Sequence, residues 1–586
     1  MFLRIATIVV LGFLAFGCML PAPFKTMDDR ISIVDNPVIK SVSNISGVFR
    51  EGYFHDQFYY RPLVNLSFME EYRFFGLRSF FYNFDNLILH ILNAILVFFL
   101  ASRLCGCVSL GFWTGLLFVL HPVQWEAVCN IPGRAILLST FFVLSTFILF
   151  LEFYKSRRSP QLVLAMITFF LGLLSKESTG VLPAVLFVYL AFDKTKPWLR
   201  KTGDLSAFLV VIGLYGLLRY YFGITKVYHA DDPNMLVLGF VTFLRSVITD
   251  LRLFVLPLDL HFDRCLEFFM SLSYPPAILS LVFWAFFLVV LCVFRRSISG
   301  FVFFLMSWFA LELLPVSQLI TGIGVGTGHV STAEHFLYLA SVPVLIGMVT
   351  AARWGFEINT KRALVNPVIL KFLVGGFLGF LLLISVEQSI YAVSEFSMLE
   401  RSLAFEPNNP RIQGAMGLWY VSKGDIPDAA KHFKAAALAE PLNPIYHISL
   451  GTALCQQGKW IEGLGQLVAL DPGKYADMVT RQEQLTMPHI LEQIRQGKKF
   501  DAKGWMILGI YYARIGHVEE AISAFVKSAD LNPLQWDVWM NLASLYEARQ
   551  NWPAARAAYQ KLLEGSHLAD YQKEIVLSHL AVIKAR

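Results

Sequence analysis

The sequence predicts an all-α protein in two parts, a polytopic helical membrane domain followed by a solenoid of paired helices. Of its 586 residues, 56% are hydrophobic and 16% are charged, whereas soluble domains average about 45–50% apolar and about 25% charged residues. The long apolar runs lie in residues 1–390, while residues 391–586 carry ordinary charge and a repeating pattern of small and large side chains. We therefore assign residues 1–390 to the membrane domain and residues 391–586 to the solenoid.

The apolar runs set the expected number of membrane spans. A spanning helix needs about 20 mainly apolar residues, and about eleven runs approach this length. We predict spans at 4–24, 86–103, 109–125, 135–153, 160–175, 179–193, 204–222, 273–294, 299–319, 336–352 and 366–388. The first run, with Arg4 before a short apolar stretch, also has the features of a signal peptide, and we prefer an uncleaved span. Residues 234–272 mix charged with apolar residues and predict an interfacial amphipathic segment.

The basic residues orient the predicted spans. Lys and Arg occur in alternate loops, at 103, 155–158, 194–201, 295–296 and 353–362. By the positive-inside rule these loops are cytoplasmic. The long first loop, 25–85, and residues 391–586 are then expected on the other side, in a periplasm or lumen. The same basic residues supply much of the net charge of +6, so this charge indicates no nucleic-acid partner.

Small residues recur at a fixed spacing in the predicted solenoid. Gly417 and Gly451 are 34 residues apart, and so are Gly509 and Ala543. Alanine and aromatic residues recur around them, a pattern that lets two helices pack closely and that is typical of tetratricopeptide repeats. Stacked helix pairs form a concave groove that holds peptides or protein segments. A plain scaffold without peptide specificity is the alternative.

Ionisable residues gather at the predicted outer ends of the spans. Asp28 and Asp29 follow the first span, and Tyr60 and Arg61 lie in the same outer loop. The others are His121, Glu126, Arg134, Lys176, Glu177, Glu334 and His335. Ionisable groups at membrane depth are costly and usually functional. Some of these residues, taken singly, are explained instead as long side chains that extend to the membrane–water interface or as helix caps. We therefore expect a site on this face that includes the acidic pair.

Several short motifs follow one another in residues 25–345. They are Asp28-Asp29-Arg30, Tyr60-Arg61-Pro62-Leu63, His121-Pro122 with Glu126, Gly133-Arg134, Ser175-Lys176-Glu177 and Glu334-His335-Phe336. In this order they resemble the transmembrane and tetratricopeptide-repeat O-mannosyltransferases and their bacterial relatives, and the repeats extend the resemblance to the C-terminus. The resemblance implies a GT-C glycosyltransferase. Such an enzyme would move a sugar, with mannose favoured, from a polyprenyl-phosphate donor to a Ser or Thr hydroxyl of a protein on the non-cytoplasmic face.

The resemblance also implies a catalytic base. In this fold an acidic residue of the first outer loop takes that role, which corresponds here to Asp28 or Asp29. A base that accepts the acceptor hydroxyl proton contributes about 10²–10⁴-fold to the rate. The second carboxylate is expected to orient the sugar or to raise the pKa of its neighbour by like-charge repulsion.

The remaining candidates are expected to bind the donor and substrate. Arg61, Arg134 and Lys176 would hold the departing phosphate, where positive charge offsets the developing negative charge. The other candidate binding residues are Tyr60, His121, Glu126, Glu177, Glu334 and His335. His335 departs from the family, which usually has Arg after this glutamate. A histidine is a weaker phosphate partner unless it is protonated, because Arg offers a fixed fork of donors.

No metal or cofactor is expected. The seven cysteines are scattered and mostly in apolar runs, and neither they nor the acidic residues show a metal-ligand spacing. The expected partners are the lipid-linked sugar as donor and a protein or peptide acceptor bound through the repeats.

Two other classes of function stay open. One is a non-catalytic membrane-anchored repeat scaffold for envelope assembly, in which the acidic pair is dispensable. The other is an oligosaccharide ligase or polymerase; such proteins place key Arg and His residues in a large late outer loop, whereas here the large loop is the first. The compact repeat array favours a bacterial inner membrane over the endoplasmic reticulum.

Overall fold

The computed structural model describes residues 1–54, 58–192, 198–225, 233–296, 298–319, 329–362, 366–470, 476–565 and 568–584. The chain divides into two compact units, Met1–Ala415 and Met416–Arg586. Both units are helical, and the predicted all-α fold class is confirmed. The division falls after helix Glu395–Phe405, about one helix later in the chain than the composition change near residue 390 indicates.

The first unit is built mainly from helices. They are α1 Phe2–Phe16, α2 Ile45–Arg50, α3 Pro62–Phe75, α4 Ser79–Cys105, α5 Val108–Leu120, α6 Trp125–Val128, α7 Arg134–Ser156, α8 Ser159–Leu173, α9 Leu182–Phe192, α10 Trp198–Tyr221, α11 Pro233–Leu253, α12 Pro275–Phe294, α13 Gly300–Leu313, α14 Leu337–Arg362, α15 Pro367–Tyr391 and α16 Glu395–Phe405. A further helix, α17 Pro410–Ser422, begins in this unit.

Many of these helices are apolar enough to cross a membrane. Among the residues that the structure describes, seven stretches also have the length: Phe2–Met19, Ser79–Cys105, Ile131–Ser156, Gly203–Tyr221, Pro275–Phe294, Glu334–Thr360 and Val368–Tyr391. Four shorter apolar helices are Val108–Leu120, Ser159–Leu173, Glu177–Phe192 and Gly300–Val316. Every predicted span overlaps one of these segments. The chain is a membrane protein.

Local sequence explains where α4 and α5 begin and end. Gly106 ends α4 in the left-handed conformation, with φ of 62°, which glycine adopts at little cost. Small residues then let α5 pack on α4, since a Cβ added at Gly115 would lie 2.8 Å from the Ala94 carbonyl oxygen. This packing fixes the end of α5, after which His121 and Glu126 follow.

The loop between α1 and α4 is folded around its own apolar core. It contains a π-helical turn at Arg30–Val34, 3₁₀ turns at Val38–Lys40 and Val42–Asn44, and helices α2 and α3. Its buried side chains include Ile33, Ile39, Val48, Tyr53, Val64 and Phe68, and Tyr82 of α4 packs in the same core. The loop ends at Arg78 rather than at residue 85, because α4 begins at Ser79. Burial of this core holds the acidic pair and Arg61 in place.

The segment predicted to be interfacial, 234–272, is a helix followed by an ordered return. Helix α11 is followed by strand β1, Cys265–Glu267, which pairs antiparallel with strand β2, His329–Ser331. Arg252 pairs with Asp259 at 2.7 Å where the chain turns. The return buries His261, Asp263 and Arg264 inside the first unit.

The second unit consists of paired helices. After α17 they are α18 Ile426–Ala439, α19 Pro444–Gln456, α20 Trp460–Val468, α21 Ala476–Arg495, α22 Ala502–Arg514, α23 Val518–Leu531, α24 Trp536–Ala548, α25 Trp552–Gly565 and α26 Asp570–Lys584. Small residues allow the pairing, since a Cβ added at Gly509 would lie 2.7 Å from the Phe525 ring. Helix α21 occupies the polar interruption between the second and third repeats, and α26 closes the array.

Candidate functional site

Asp28 and Asp29 lie in the turn after α1 and differ in environment. Asp29 is buried, and its Oδ2 accepts a hydrogen bond from the Lys25 backbone N–H at 2.8 Å. Burial raises the pKa of the Asp29 carboxyl to about 6, against the opposing effect of Lys25. Asp28 is partly exposed, and its carboxylate has no hydrogen-bond partner among the described residues; its carbonyl accepts from Ser32 Oγ at 2.6 Å. Asp29 is therefore held within the turn through Oδ2, while its buried Oδ1 has no hydrogen-bond partner among the described residues. Asp28 differs in that its carboxylate is partly exposed.

Glu126 joins two parts of the first unit that are distant in sequence. Its Oε1 lies 3.0 Å from His335 Nδ1 and accepts from the Asp263 backbone N–H at 3.3 Å. Its Oε2 accepts from the His335 N–H at 2.9 Å. Burial alone would raise the pKa of Glu126, but the imidazole and these N–H groups outweigh it and lower the pKa. The contact at Nδ1 leaves Nε2 of the partly exposed His335 ring, whose side chain is 28% accessible, to face outward from the pair.

Glu334 is the centre of a second, fully buried network. Its Oε2 accepts from Trp125 Nε1 at 2.6 Å. Its Oε1 accepts from the His261 N–H at 3.1 Å and from Arg264 Nη2 at 3.0 Å. Arg264 Nη2 also donates to the Asp259 carbonyl at 2.6 Å. These bonds tie the return after α11 to the start of α14, and both oxygens of Glu334 are occupied in doing so.

Arg61 and Glu177 form a partly buried ion pair. Arg61 Nε donates to Glu177 Oε2 at 3.0 Å, and the Tyr60 backbone N–H donates to Glu177 Oε1 at 2.8 Å. The guanidinium lies over the Tyr59 ring at 4.5 Å and the Tyr53 ring at 5.6 Å. In the part of the chain that the structure describes, Arg61 Nη1 and Nη2 make no hydrogen bond, so the outer edge of the fork is available to an anion.

Lys176 lies beside this pair in the turn between α8 and α9. Its Nζ lies 5.9 Å from the centre of the Phe336 ring. Burial and, to a lesser extent, the Arg61 charge lower the pKa of Lys176 to about 7, against the opposing effect of Glu177 and Glu312. An amino group that its surroundings keep partly unprotonated takes up a proton, and so becomes charged, when an anion binds next to it.

His121 is used within the fold. Its Nε2 lies 3.1 Å from the Phe254 carbonyl oxygen, and its Nδ1 accepts from the Val123 N–H at 3.2 Å. Both ring nitrogens are engaged by backbone groups, and the ring is buried. His121 caps the turn after α5 and anchors the chain after α11 to it.

Arg134 is likewise used within the fold. Its Nε donates to Asn86 Oδ1 at 2.6 Å and its Nη2 to the Tyr82 carbonyl at 3.0 Å. Nη2 also lies 2.7 Å from Glu71 Oε1, and Nη1 lies 3.3 Å from Ser67 Oγ. The side chain is 2% accessible. The structure does not bring Arg134 to Arg61 and Lys176, since its donors hold α3 and α4 to α7.

The other predicted residues form one polar cluster. The charges of Asp28, Glu126 and His335 all act on the Asp263 carboxyl. The charges of Arg61 and Asp28 both act on the Tyr53 hydroxyl. Lys176 connects the two sides, because it packs on Phe336 next to His335 and interacts with Arg61. The cluster therefore has one side around Asp263 and Glu126 and another around Arg61, and the Asp28 charge acts on both.

Several residues of this cluster were missed by sequence reasoning. They are Lys25, His261, Asp263, Arg264, Asn409 and Arg411. Three of them lie in the segment 234–272, whose charges within apolar sequence indicated an interface. The same charges are also the signal of a buried polar network, because an ionisable group in an apolar segment is stable when it is paired. Within the described ranges, no three His, Cys, Asp or Glu side chains are grouped as metal ligands.

The fold and this cluster define a class of protein, a polytopic membrane protein with a polar site at the span ends and a helical repeat unit. The repeat unit matches the family model described as tetratricopeptide repeat at residues 415–470 and 508–569. The prediction of these repeats is confirmed.

The chain is also similar to curated proteins. It is 25% identical over 432 residues to a protein O-mannosyl-transferase of Caenorhabditis elegans, a match that covers 71% of this chain and 59% of that protein. It is 30% identical over 148 residues to protein O-mannosyl-transferase TMTC1 of Homo sapiens, covering 23% of this chain and 16% of that protein. It is 29% identical over 239 residues to TMTC2 of Mus musculus, covering 36% and 28%. The predicted resemblance is confirmed, and the chain spans less than two thirds of the length of these relatives.

Proposed function

We propose that this chain is an integral membrane glycosyltransferase of the GT-C type. It transfers a sugar, with mannose favoured, from a polyprenyl-phosphate donor to a Ser or Thr hydroxyl of a protein on the non-cytoplasmic face. The observation that supports this most is the gathering of Asp28, Arg61 and Lys176 in one polar cluster. A carboxylate beside cations is what transfer from a sugar phosphate requires, and the names of the relatives indicate the class of acceptor.

Asp28 is the base in this proposal. The acceptor hydroxyl gives its proton to the Asp28 carboxylate while its oxygen bonds to the anomeric carbon. The bond from that carbon to the phosphate oxygen breaks, and its electron pair leaves with the phosphate. Asp28 suits this role because it is partly exposed and its oxygens are uncommitted among the described residues. Asp29 is buried against Lys25 and holds the turn.

Arg61 and Lys176 bind the departing phosphate. Glu177 and the Tyr59 ring fix the plane of the Arg61 guanidinium, so that its two Nη groups can donate to two phosphate oxygens. Lys176 adds a single charge beside it. His335 presents one nitrogen, Nε2, where an arginine would present a fork, so it adds a weaker and protonation-dependent contact.

The repeats bind the acceptor protein or a partner. Tetratricopeptide repeats stack into a groove that holds extended or helical segments, and this chain has matches to that family model over two stretches. Acceptor choice is thus assigned to the second unit and bond formation to the first.

Sugar transfer by the purified full-length protein in detergent tests the proposal. Radiolabelled polyprenyl-phosphate mannose and other lipid-linked sugars are offered with envelope proteins as acceptors. The variants are Asp28→Asn, Asp29→Asn and, as a matched control in the same loop, Asp35→Asn, whose side chain is 55% accessible. We expect transfer with the wild type and the control, and a loss of about 10²–10⁴-fold with Asp28→Asn.

Two results would contradict the proposal. Equal transfer by the wild type and Asp28→Asn excludes Asp28 as the base. An absence of transfer with every donor, while the intact repeats still capture a partner through the second unit, favours the non-catalytic scaffold instead.

A further inference from the structure

Asp263 occupies an unusual backbone position in the polar cluster. It follows α11 and has φ of 55°, in the left-handed region that residues other than glycine rarely adopt. Its N–H donates to Glu126 Oε1 at 3.3 Å, and its carbonyl accepts from Asn409 Nδ2 at 2.9 Å. Arg411 Nη1 lies 3.2 Å from its Oδ1. Contacts from two separate parts of the first unit, at Glu126 and at residues 409–411, therefore hold one aspartate in a conformation that the chain would not adopt by itself.

The second carboxylate oxygen of Asp263, Oδ2, accepts no hydrogen bond from the described residues. Asp263 is 4% exposed, and its Oδ2 is buried without a hydrogen-bond partner among the residues that the structure describes. Burial removes an oxygen from water, so a buried acceptor that is left unpaired is costly and rare. The ion pair with Arg411 needs Oδ1 alone. The free Oδ2 is not explained by the packing of the fold.

The surroundings of Asp263 indicate what Oδ2 could accept. Burial raises the pKa of the Asp263 carboxyl to about 6, with Arg411 opposing and Glu126 and Asp28 adding to the rise. At neutral pH the group is therefore mostly ionised and acts as an acceptor. A phosphate would be repelled by it and by Asp28. Arg411, the cation that touches Asp263, is paired with Oδ1, and Arg61 and Lys176 lie on the other side of the cluster. A neutral ligand with hydroxyl donors suits this position.

We propose that Asp263 binds the transferred sugar, with Oδ2 accepting a hydrogen bond from one of its ring hydroxyls. This assignment rests on the proposed transferase function and adds the sugar subsite to it. Asp263 and Asp28 then face the sugar, while Arg61 and Lys176 face the phosphate, so the two charged sides of the cluster divide the donor between them. Glu126 is a positioning residue, because it holds the Asp263 backbone and the His335 ring at the same time.

Donors that lack single hydroxyls test this assignment. The lipid-linked sugar that the wild type uses is compared with its 2-, 3-, 4- and 6-deoxy analogues, each tested with wild type and with Asp263→Asn. Asparagine keeps an oxygen for Arg411 and tolerates the left-handed conformation, but it replaces the Oδ2 acceptor with a donor. We expect Asp263→Asn to lower kcat/KM for the full donor about 10- to 100-fold.

The decisive readout is the coupling between the residue and one hydroxyl. For the donor that lacks the bound hydroxyl, kcat/KM of the wild type should fall by the same factor as the substitution Asp263→Asn lowers kcat/KM for the full donor. The substitution and the missing hydroxyl together should cost little more than either change alone. Arg411→Gln, which removes the partner of Oδ1 and leaves Oδ2, should lower transfer from all donors by the same factor. If Asp263→Asn does not fold, Asp263→Gly relieves the backbone conformation and takes its place in the same comparison.

The outcomes separate this proposal from the one on which it rests. Transfer by the wild type, with a loss in Asp263→Asn that is equal for every donor or absent, overturns the sugar subsite and leaves the transferase intact. An absence of wild-type transfer from any lipid-linked sugar overturns both.

Discussion

Arg61 and Arg134 each pair with a glutamate in the first unit. The regions around them differ in how many N–H groups of the guanidinium remain free to donate a hydrogen bond. Arg134 pairs with Glu71 and also donates to Asn86 and the Tyr82 carbonyl, with 2% of its side chain accessible. Arg61 pairs with Glu177 through Nε, and 14% of its side chain is accessible. The Arg134 region is a closed network between helices, whereas the Arg61 region keeps an edge of the guanidinium open toward Lys176.

This difference separates structural from binding roles for side chains that look alike in the sequence. A buried arginine with all its donors engaged contributes to stability, because its loss leaves a buried charge without a partner. An arginine that is fixed by one carboxylate and stacked on aromatic rings is already oriented, so little freedom is lost when it binds a second anion. We therefore place Arg61 and Lys176, and not Arg134, beside the donor phosphate.

Arg134→Met should have the largest effect on stability. Removing Arg134 costs about 3–5 kcal/mol, because the buried Asn86 side chain, the Tyr82 carbonyl and Glu71 all lose their donor. The measurement is the unfolding midpoint of the purified protein in detergent. The double variant Glu71→Leu/Arg134→Met should recover part of the loss, since no buried carboxyl group is left without its partner. An unchanged midpoint in the single variant would show that Arg134 does not hold α3 and α4 to α7.

Arg61→Lys should have a large effect on transfer and a small one on folding. Lysine keeps a charge beside Glu177 but lacks the planar fork, so kcat/KM for the lipid-linked donor should fall about 10- to 100-fold. The unfolding midpoint should stay near that of the wild type. Steady-state transfer kinetics and thermal unfolding of the same preparation check the two parts. A lowered midpoint with normal transfer would reverse the roles assigned to Arg61 and Arg134.

Lys176 should make donor binding depend on pH. The pKa of Lys176 is lowered to about 7 by burial and by Arg61, and a bound phosphate raises it again by favouring the charged form. The complex then holds more protons than the free protein above pH 7, so affinity should fall as pH rises, by up to about tenfold per unit. Donor affinity measured from about pH 6 to about pH 9, in steps of about one unit, checks this. Lys176→Arg should flatten the profile, and an identical slope in both would exclude Lys176 as the titrating group.

Arg30→Gln should have the smallest effect. Arg30 and Asp35 form an ion pair at 2.7 Å with 62% and 55% of their side chains accessible. Exposed pairs contribute about 0–1 kcal/mol. The unfolding midpoint and the transfer rate should both stay within error of the wild type. A clear loss of transfer would mean that the third residue of the Asp28-Asp29-Arg30 motif has a role that its exposed position does not indicate.

Much of the fold could be predicted from the sequence because apolar length and repeat spacing are local signals. Each predicted span overlaps an apolar helix, and the repeat spacing around Gly417 and Gly509 predicted helix pairs that the structure contains. The candidate site was predicted less completely. Asp28, Arg61 and Lys176 were named, but Asp263 and Arg411 were not, since they come together only when the return after α11 folds against the start of α17.

The sequence by itself determined the class of each segment and the residue types near the site. Hydrophobic periodicity and the cost of charge in an apolar segment act over neighbouring residues, so they can be read along the chain. Only the tertiary structure decided which carboxylate is partly exposed and which arginine keeps free donors. The number of partners around Asp29 and Arg134, compared with Asp28 and Arg61, depends on contacts between segments far apart in the chain. Burial and hydrogen bonding by those segments turn identical side chains into structural supports or binding groups.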